Sequence, residues 1–139
     1  MKKIIIWLLA IGLISGIAVY FFVFYYGAKH EDPLKSAQMV SVDAKDLFGQ
    51  YELNEDSANK LYLGKVIKVS GDISDIQYNN MRYTISYATN GMMGTVLCEM
   101  DTLENPKVKT LIIGSKAIIA GFCNGINMDV YLDRCKLAE

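Results

Sequence analysis

The stretch KVIKVSGDISDIQYNNMRYTISY, Lys65 to Tyr87, decides the fold. From Lys65 to Tyr78 it alternates polar and apolar, with Ile67, Val69 and Ile73 on one side, the period of a strand with one buried face. Gly71 interrupts the pattern, and a glycine inside a strand predicts a bulge or a sharp bend. Asn79-Asn80 is then a hairpin signal, because Asn tolerates the positive φ that primed turns require. The returning strand sets Tyr83, Ile85 and Tyr87 on one face and Arg82, Thr84 and Ser86 on the other. A long, bent strand folding straight back on itself is expected.

Downstream, Thr89-Asn90-Gly91 and Gly94 bracket a loop that carries Met92 and Met93, and GTVLCEM supplies a third strand with Val96, Cys98 and Met100 alternating. DTLENPKVKTLIIG reads as a short helical piece that Asp101 or Thr102 can start, with Leu103, Val108, Leu111 and Ile112 facing inward. Pro106 excludes a long regular helix there. SKAIIAGFC and MDVYLDRCKL follow as fourth and fifth strands, joined by a loop of about five residues around Gly125. The fold class expected is mainly β with α. Five strands, a short helix between the third and fourth and a bent first strand predict a five-stranded OB-fold Greek-key barrel over 64–139. Other small antiparallel barrels or sandwiches share the strand count.

Upstream, residues 43–63 predict a helical segment packed on the barrel. Ser41 or Asp43 can cap it, Ala44, Leu47, Phe48 and Tyr51 form one apolar face, and Ala58, Leu61 and Tyr62 form another after Asn54. Spacing leaves open whether this is one irregular helix or a pair. Residues 29–42 are polar, contain Pro33 and lack a period, which predicts a juxtamembrane linker.

Residues 1–28 predict an N-terminal transmembrane signal anchor. From Ile4 to Tyr26 the chain has no charge, and at ~1.5 Å per residue this run exceeds the ~30 Å hydrocarbon core of a bilayer. A cleavable signal peptide fits less well: the apolar run is too long, Tyr26 is bulky where cleavage after Ala28 needs a small residue, and no cysteine lies nearby to take a lipid. Lys2 and Lys3 precede the run, whereas Lys29 is followed by His30, Glu31 and Asp32. The positive-inside rule then predicts a single-pass protein of a bacterial cell membrane with its C-terminal domain periplasmic or otherwise outside the cytoplasm. The whole chain is net −1, so without Lys2 and Lys3 the remainder is −3. That balance argues against nucleic acid as the partner.

Cys98, Cys123 and Cys135 are candidates for a disulfide, with the pairing open. Three cysteines allow one intrachain bridge. A simple hairpin would hold Cys123 and Cys135 too far apart, whereas parallel closure of the third and fifth strands would bring Cys98 towards Cys135. Three buried free thiols are the other reading. No metal or cofactor is expected: no cysteine stands in a C-x-x-C pair, and the only histidine is His30. The carboxylate pairs Asp72 with Asp75 and Asp129 with Asp133 lack a nucleophile and read as turn caps or solvated positions. HExxH, GxSxG and phosphate-binding glycine loops are missing from the sequence. No enzyme is expected.

The residues also resemble a known group. Ala58, Asn59, Lys60, Tyr62, Gly64 and Lys65, then Val69 and Gly71, then Gly121, Cys123 and Gly125, then Asp129, Val130, Leu132 and Cys135 match elements of the tRNA anticodon-binding-like family of bacterial OB-fold proteins. Many of its members are lipoproteins or membrane-anchored proteins of unknown function. The similarity covers most of 43–137 and implies an OB-fold without established catalytic residues. The expected function is a non-catalytic binding or assembly module of the envelope with a protein partner. The alternative is a binder of oligosaccharides or other small ligands on the OB face, and after it of single-stranded nucleic acid. Candidate contacts are Arg82, Thr84, Ser86, Tyr83, Tyr87, Met92 and Met93.

Overall fold

The computed structural model describes residues 12–22, 32–36, 39–90 and 94–138. Residues 12–22 are helical with exposed apolar side chains, and at ~1.5 Å per residue they extend about 16 Å. Among the described residues no helix is long and apolar enough to cross a membrane. The remainder of the expected anchor, 1–11 and 23–28, lies outside the described residues. The chain separates into two compact units, Met1–Asp32 and Pro33–Glu139.

The second unit is a six-stranded sheet, of which five strands close into a barrel. Its elements are β1 (Val40–Asp43), α1 (Ala44–Leu53), α2 (Glu55–Tyr62), β2 (Val66–Asn79), β3 (Arg82–Tyr87), β4 (Val96–Met100), α3 (Asn105–Val108), β5 (Lys116–Asn127) and β6 (Asp129–Leu137). Strand order is β1-β2-β3-β4-β6-β5, and β2 pairs with β5 to close the ring. Closure depends on β2. Val66 to Asp72 pair with β5, and Ile73 to Asn79 pair with β3. The change of partner coincides with a bulge between Ile73 and Asp75, two residues beyond the glycine that the sequence pattern marks. Gly71 has another purpose: a Cβ there would lie 3.0 Å from the Ala44 Cβ and 3.1 Å from the Tyr87 ring.

Several local expectations shift. The β2–β3 turn is Asn80-Met81, both at positive φ, because Asn79 is still paired with Arg82. Gly125, φ 90, lies within β5 at a bulge, and the turn falls at Met128, φ 70. The expected linker is not irregular throughout: Pro33–Lys35 make one 3-10 turn, and β1 lies parallel to β2 from Val40 onward. In the α3 region Val108 is buried and Leu111 packs on the core, but Leu103 and Ile112 are exposed, because the segment is only a 3-10 turn and one helical turn. Its place between β4 and β5 is nevertheless the one an OB-fold reserves for its helix.

The helical segment is a pair. Asp43 caps α1 by accepting from the Lys45 N–H, and Asn54 caps α2 by accepting from the Ser57 N–H, each satisfying a donor the first helical turn leaves free. Ala44, Leu47, Phe48 and Tyr51 enter the core as the spacing predicts. The break at Asn54 turns α2 so that Ala58 and Tyr62 face inward and Leu61 faces water. Tyr62 donates to Gln50 Oε1 at 2.8 Å, tying the two helices together.

Candidate binding face

Alternation along β3, β4 and β6 directs Ile85, Tyr87, Val96, Cys98, Met100, Val130, Leu132 and Cys135 into the barrel. The opposite parity faces outward: Arg82 and Thr84 from β3, Leu97 and Glu99 from β4, Tyr131 from β6. Thr84 stands directly across from Glu99, and Leu97 across from Tyr131. Glu99 joins the three strands, one carboxylate oxygen accepting from Arg82 Nη1 and the other from the Tyr131 hydroxyl. Those two hydrogen bonds, Tyr131's first, hold the Glu99 carboxyl below its ordinary range, while burial and the Glu99 bond raise the Tyr131 phenol. The cluster is therefore a fixed anion between two donors.

The candidate residues from the sequence fall in different places. Arg82 is exposed and Thr84 half-buried on this face, and Ser86 shares the parity but is buried. Tyr83 packs its ring on Tyr78, centroids 4.6 Å apart, at the outer end of the hairpin. Tyr87 is a core residue with no face open to a ligand: it is fully buried, and its hydroxyl donates to the Ala117 carbonyl at 3.2 Å. Burial raises its phenol pKa. Met92 and Met93 lie outside the described residues. Glu99 and Tyr131 were not among the sequence candidates, because their partnership depends on a parallel β4–β6 contact between residues far apart in the chain.

The cysteines are free and buried. Parallel β4–β6 pairing sets Met100 beside Cys135, in an irregular stretch that includes Arg134, φ 48, and the Cys135 thiol donates to the Asp133 carbonyl at 3.6 Å on the side of Cys98. Burial, then Cys98, raise the Cys135 thiol well above its ordinary pKa. Cys123 stands apart from that pair, opposite Leu132 in the ladder and 3.4 Å from the Tyr51 hydroxyl. Among the described residues no group of three or more His, Cys, Asp or Glu is placed to hold a metal ion. Of the carboxylate pairs, Asp129 has a structural partner: one oxygen accepts from the Thr95 N–H at 2.7 Å and the Thr95 hydroxyl at 3.0 Å, fastening the starts of β4 and β6 together.

A five-stranded barrel closed through a shared first strand, with a helical piece between β4 and β5, defines the class: this is an OB-fold domain. The chain belongs to the tRNA_anti-like family, whose model matches residues 1–137. No curated protein matches it. Among solved structures it is similar to a Klebsiella pneumoniae protein provisionally described as a nucleic acid-binding lipoprotein, with 24% identity and TM-score 0.60 over 78% of this chain and 98% of that one. The S. pombe Stn1-Ten1 complex matches at 14% identity and TM-score 0.43, over 53% of this chain and 58% of that one. An OBody bound to hen egg-white lysozyme matches at 8% and 0.44, over 57% and 86%.

Proposed function

We propose that the protein is a non-catalytic binding module of the bacterial envelope, tethered by its apolar segment 4–26, with its domain outside the cytoplasm. Its outer β3–β4–β6 face receives a protein partner. The observation that carries this reading is the Arg82–Glu99–Tyr131 cluster. A carboxylate held as an anion by two donors, beside a phenol pushed further above the physiological range, is poorly tuned for proton transfer. As a rigid polar patch it suits recognition. Exposed Met81 and Leu103 adjoin the hairpin end of the face, where Asn105 Nδ2 donates to the Met81 carbonyl, and together they give the apolar-and-polar mixture of a protein interface. Family membership and the lipoprotein neighbour support an envelope setting.

A photo-crosslinking residue at Thr84 tests this in cells. One discrete envelope-protein adduct, lost on Glu99→Gln, is expected; adducts identical to those from a crosslinker at Leu53 overturn the reading. Placement is tested separately, since protection of the domain from protease in spheroplasts refutes the extracytoplasmic orientation. A second reading, an oligosaccharide ligand, is favoured by Tyr78, which is exposed while its ring lies tilted against that of Tyr83 next to Arg82. Amide shifts on β2 and β3 on adding glycans would support it, and an unchanged spectrum would remove it.

A further inference from the structure

We propose that the turn between α3 and β5 is a contact tip for an anionic bilayer surface. From Asn105 to Ile118 the chain carries Lys107, Lys109 and Lys116 and no carboxylate. At the apex Ile112 and Ile113 are 71% and 56% exposed, next to Gly114 at φ 87. The apex is held in place: the Gly114 N–H donates to the Ile73 carbonyl at 2.7 Å, and the Ile73 N–H donates to the Ser115 carbonyl at 2.9 Å. Two adjacent isoleucines fixed in water forgo the burial that stabilises such side chains elsewhere. Behind the tip a cavity of about 490 Å³ joins apolar Leu111, Ile118 and Leu137 to the lysine stems of Lys107 and Lys116.

With two carboxylates facing its three lysines, the tip keeps a net positive charge of one. Glu104 is buried and pairs with Lys107 at 3.4 Å, and Asp72 lies opposite Lys116 in the ladder. Lys109 adds a further positive charge on exposed chain. Isoleucines at the apex with lysines behind them match the acyl boundary and the headgroup phosphates of an anionic leaflet. Single-stranded nucleic acid would call for aromatic or guanidinium planes, and the segment contains neither. The inference rests on the anchored reading for proximity: residues 27–32 reach at most about 21 Å at ~3.5 Å per residue, so a weak contact would operate at high local concentration.

The test uses the full chain in vesicles. An environment-sensitive thiol dye is attached through Ile112→Cys, and in a control through Leu53→Cys, on exposed α1; the three native thiols are buried. In phosphatidylglycerol-containing vesicles, emission at position 112 should shift to the blue and be quenched by brominated lipid several-fold more than at 53. In phosphatidylcholine alone, or with Lys107, Lys109 and Lys116 all changed to Gln, position 112 should fall to the level of 53. Equal quenching at both positions, no dependence on anionic lipid, or a shift produced by an oligonucleotide and not by vesicles overturns the proposal. Alkaline carbonate extraction separates the two ideas. A chain that is extracted but whose tip responds to anionic vesicles refutes only the anchor, and a retained chain with an unquenched tip refutes only the tip.

Discussion

Gly121→Ala tests the packing where the barrel closes. A Cβ at this position would fall 2.4 Å from the Cys135 Sγ, 3.1 Å from the Asp133 carbonyl oxygen and 3.4 Å from the Leu132 Cβ. The first of these distances cannot persist, so the thiol must move. It is fully buried and hydrogen-bonded to the Asp133 carbonyl, with Cys98 and Tyr87 close by, so its displacement propagates into the core. Overpacking of this kind costs ~1–3 kcal/mol. Loss of unfolded-chain freedom on replacing glycine returns ~0.4–1 kcal/mol, leaving a net loss of about 1–2 kcal/mol. For a domain of this size that lowers Tm by roughly 5–15 °C. The informative variant is the double substitution Gly121→Ala with Cys135→Ala. The added methyl then occupies space that the sulfur has vacated, so the double variant should be about as stable as Cys135→Ala alone. The coupling energy should be about 1–2 kcal/mol, measured by urea unfolding of all four proteins. If Gly121→Ala is as stable as the parent, or the two effects simply add, the thiol is not what demands glycine at 121.

Other outcomes follow from the outer face and the strand starts. Tyr131 and Arg82 depress the Glu99 pKa, so Glu99 contributes stability above the ordinary carboxylate pKa of ~4.3 and loses it as pH falls through its lower folded value. Thermal melts of the parent and Glu99→Gln should therefore differ at pH 7 and converge towards pH 3; a gap that widens on acidification refutes the assignment. Asp129→Ala removes the acceptor of two Thr95 donors. It should cost ~1.5–3 kcal/mol in urea unfolding, as expected for bonds to a charged group, with faster amide exchange at Thr95. A cost below ~0.5 kcal/mol would show that the clasp is replaced by water.

The legible part of the fold rests on period and caps. Ile67, Val69 and Ile73 entered the core because period-two alternation is a local property, and so did Ala44, Leu47, Phe48 and Tyr51 at helical spacing. Capping was equally local, with Asp43 and Asn54 performing the role their side chains suit. Errors gathered where one residue decides between neighbouring solutions. Asn79-Asn80 contains the preferred turn residues, yet cross-strand pairing of Asn79 with Arg82 moved the turn to Asn80-Met81. Glycine marks both turns and bulges, and only the register to Val130 and Leu132 shows that Gly125 stands in a bulge. Leu103 and Ile112 fit an inward helical period that one turn of helix cannot sustain, and both face water.

The candidate face shows why strand parity is weak evidence for a site. Parity places Arg82, Thr84 and Ser86 together on β3, but what surrounds each depends on how the barrel curves, so the same parity gives an exposed guanidinium at one end and a buried hydroxyl at the other. Tyr87 illustrates the converse. Its strand is one that OB-folds use for ligands, but Tyr87 occupies the inner parity, where Gly71 leaves room for its ring and Ala117 accepts its hydroxyl proton. The residues that organise the outer face meet only because β4 and β6 run parallel where the ring closes. The same contact brings Cys98 to Cys135 inside the barrel and Glu99 to Tyr131 outside it. A perturbation at the seam should therefore register on both surfaces: displacing Cys135 from within must strain the backbone that holds Tyr131 against Glu99.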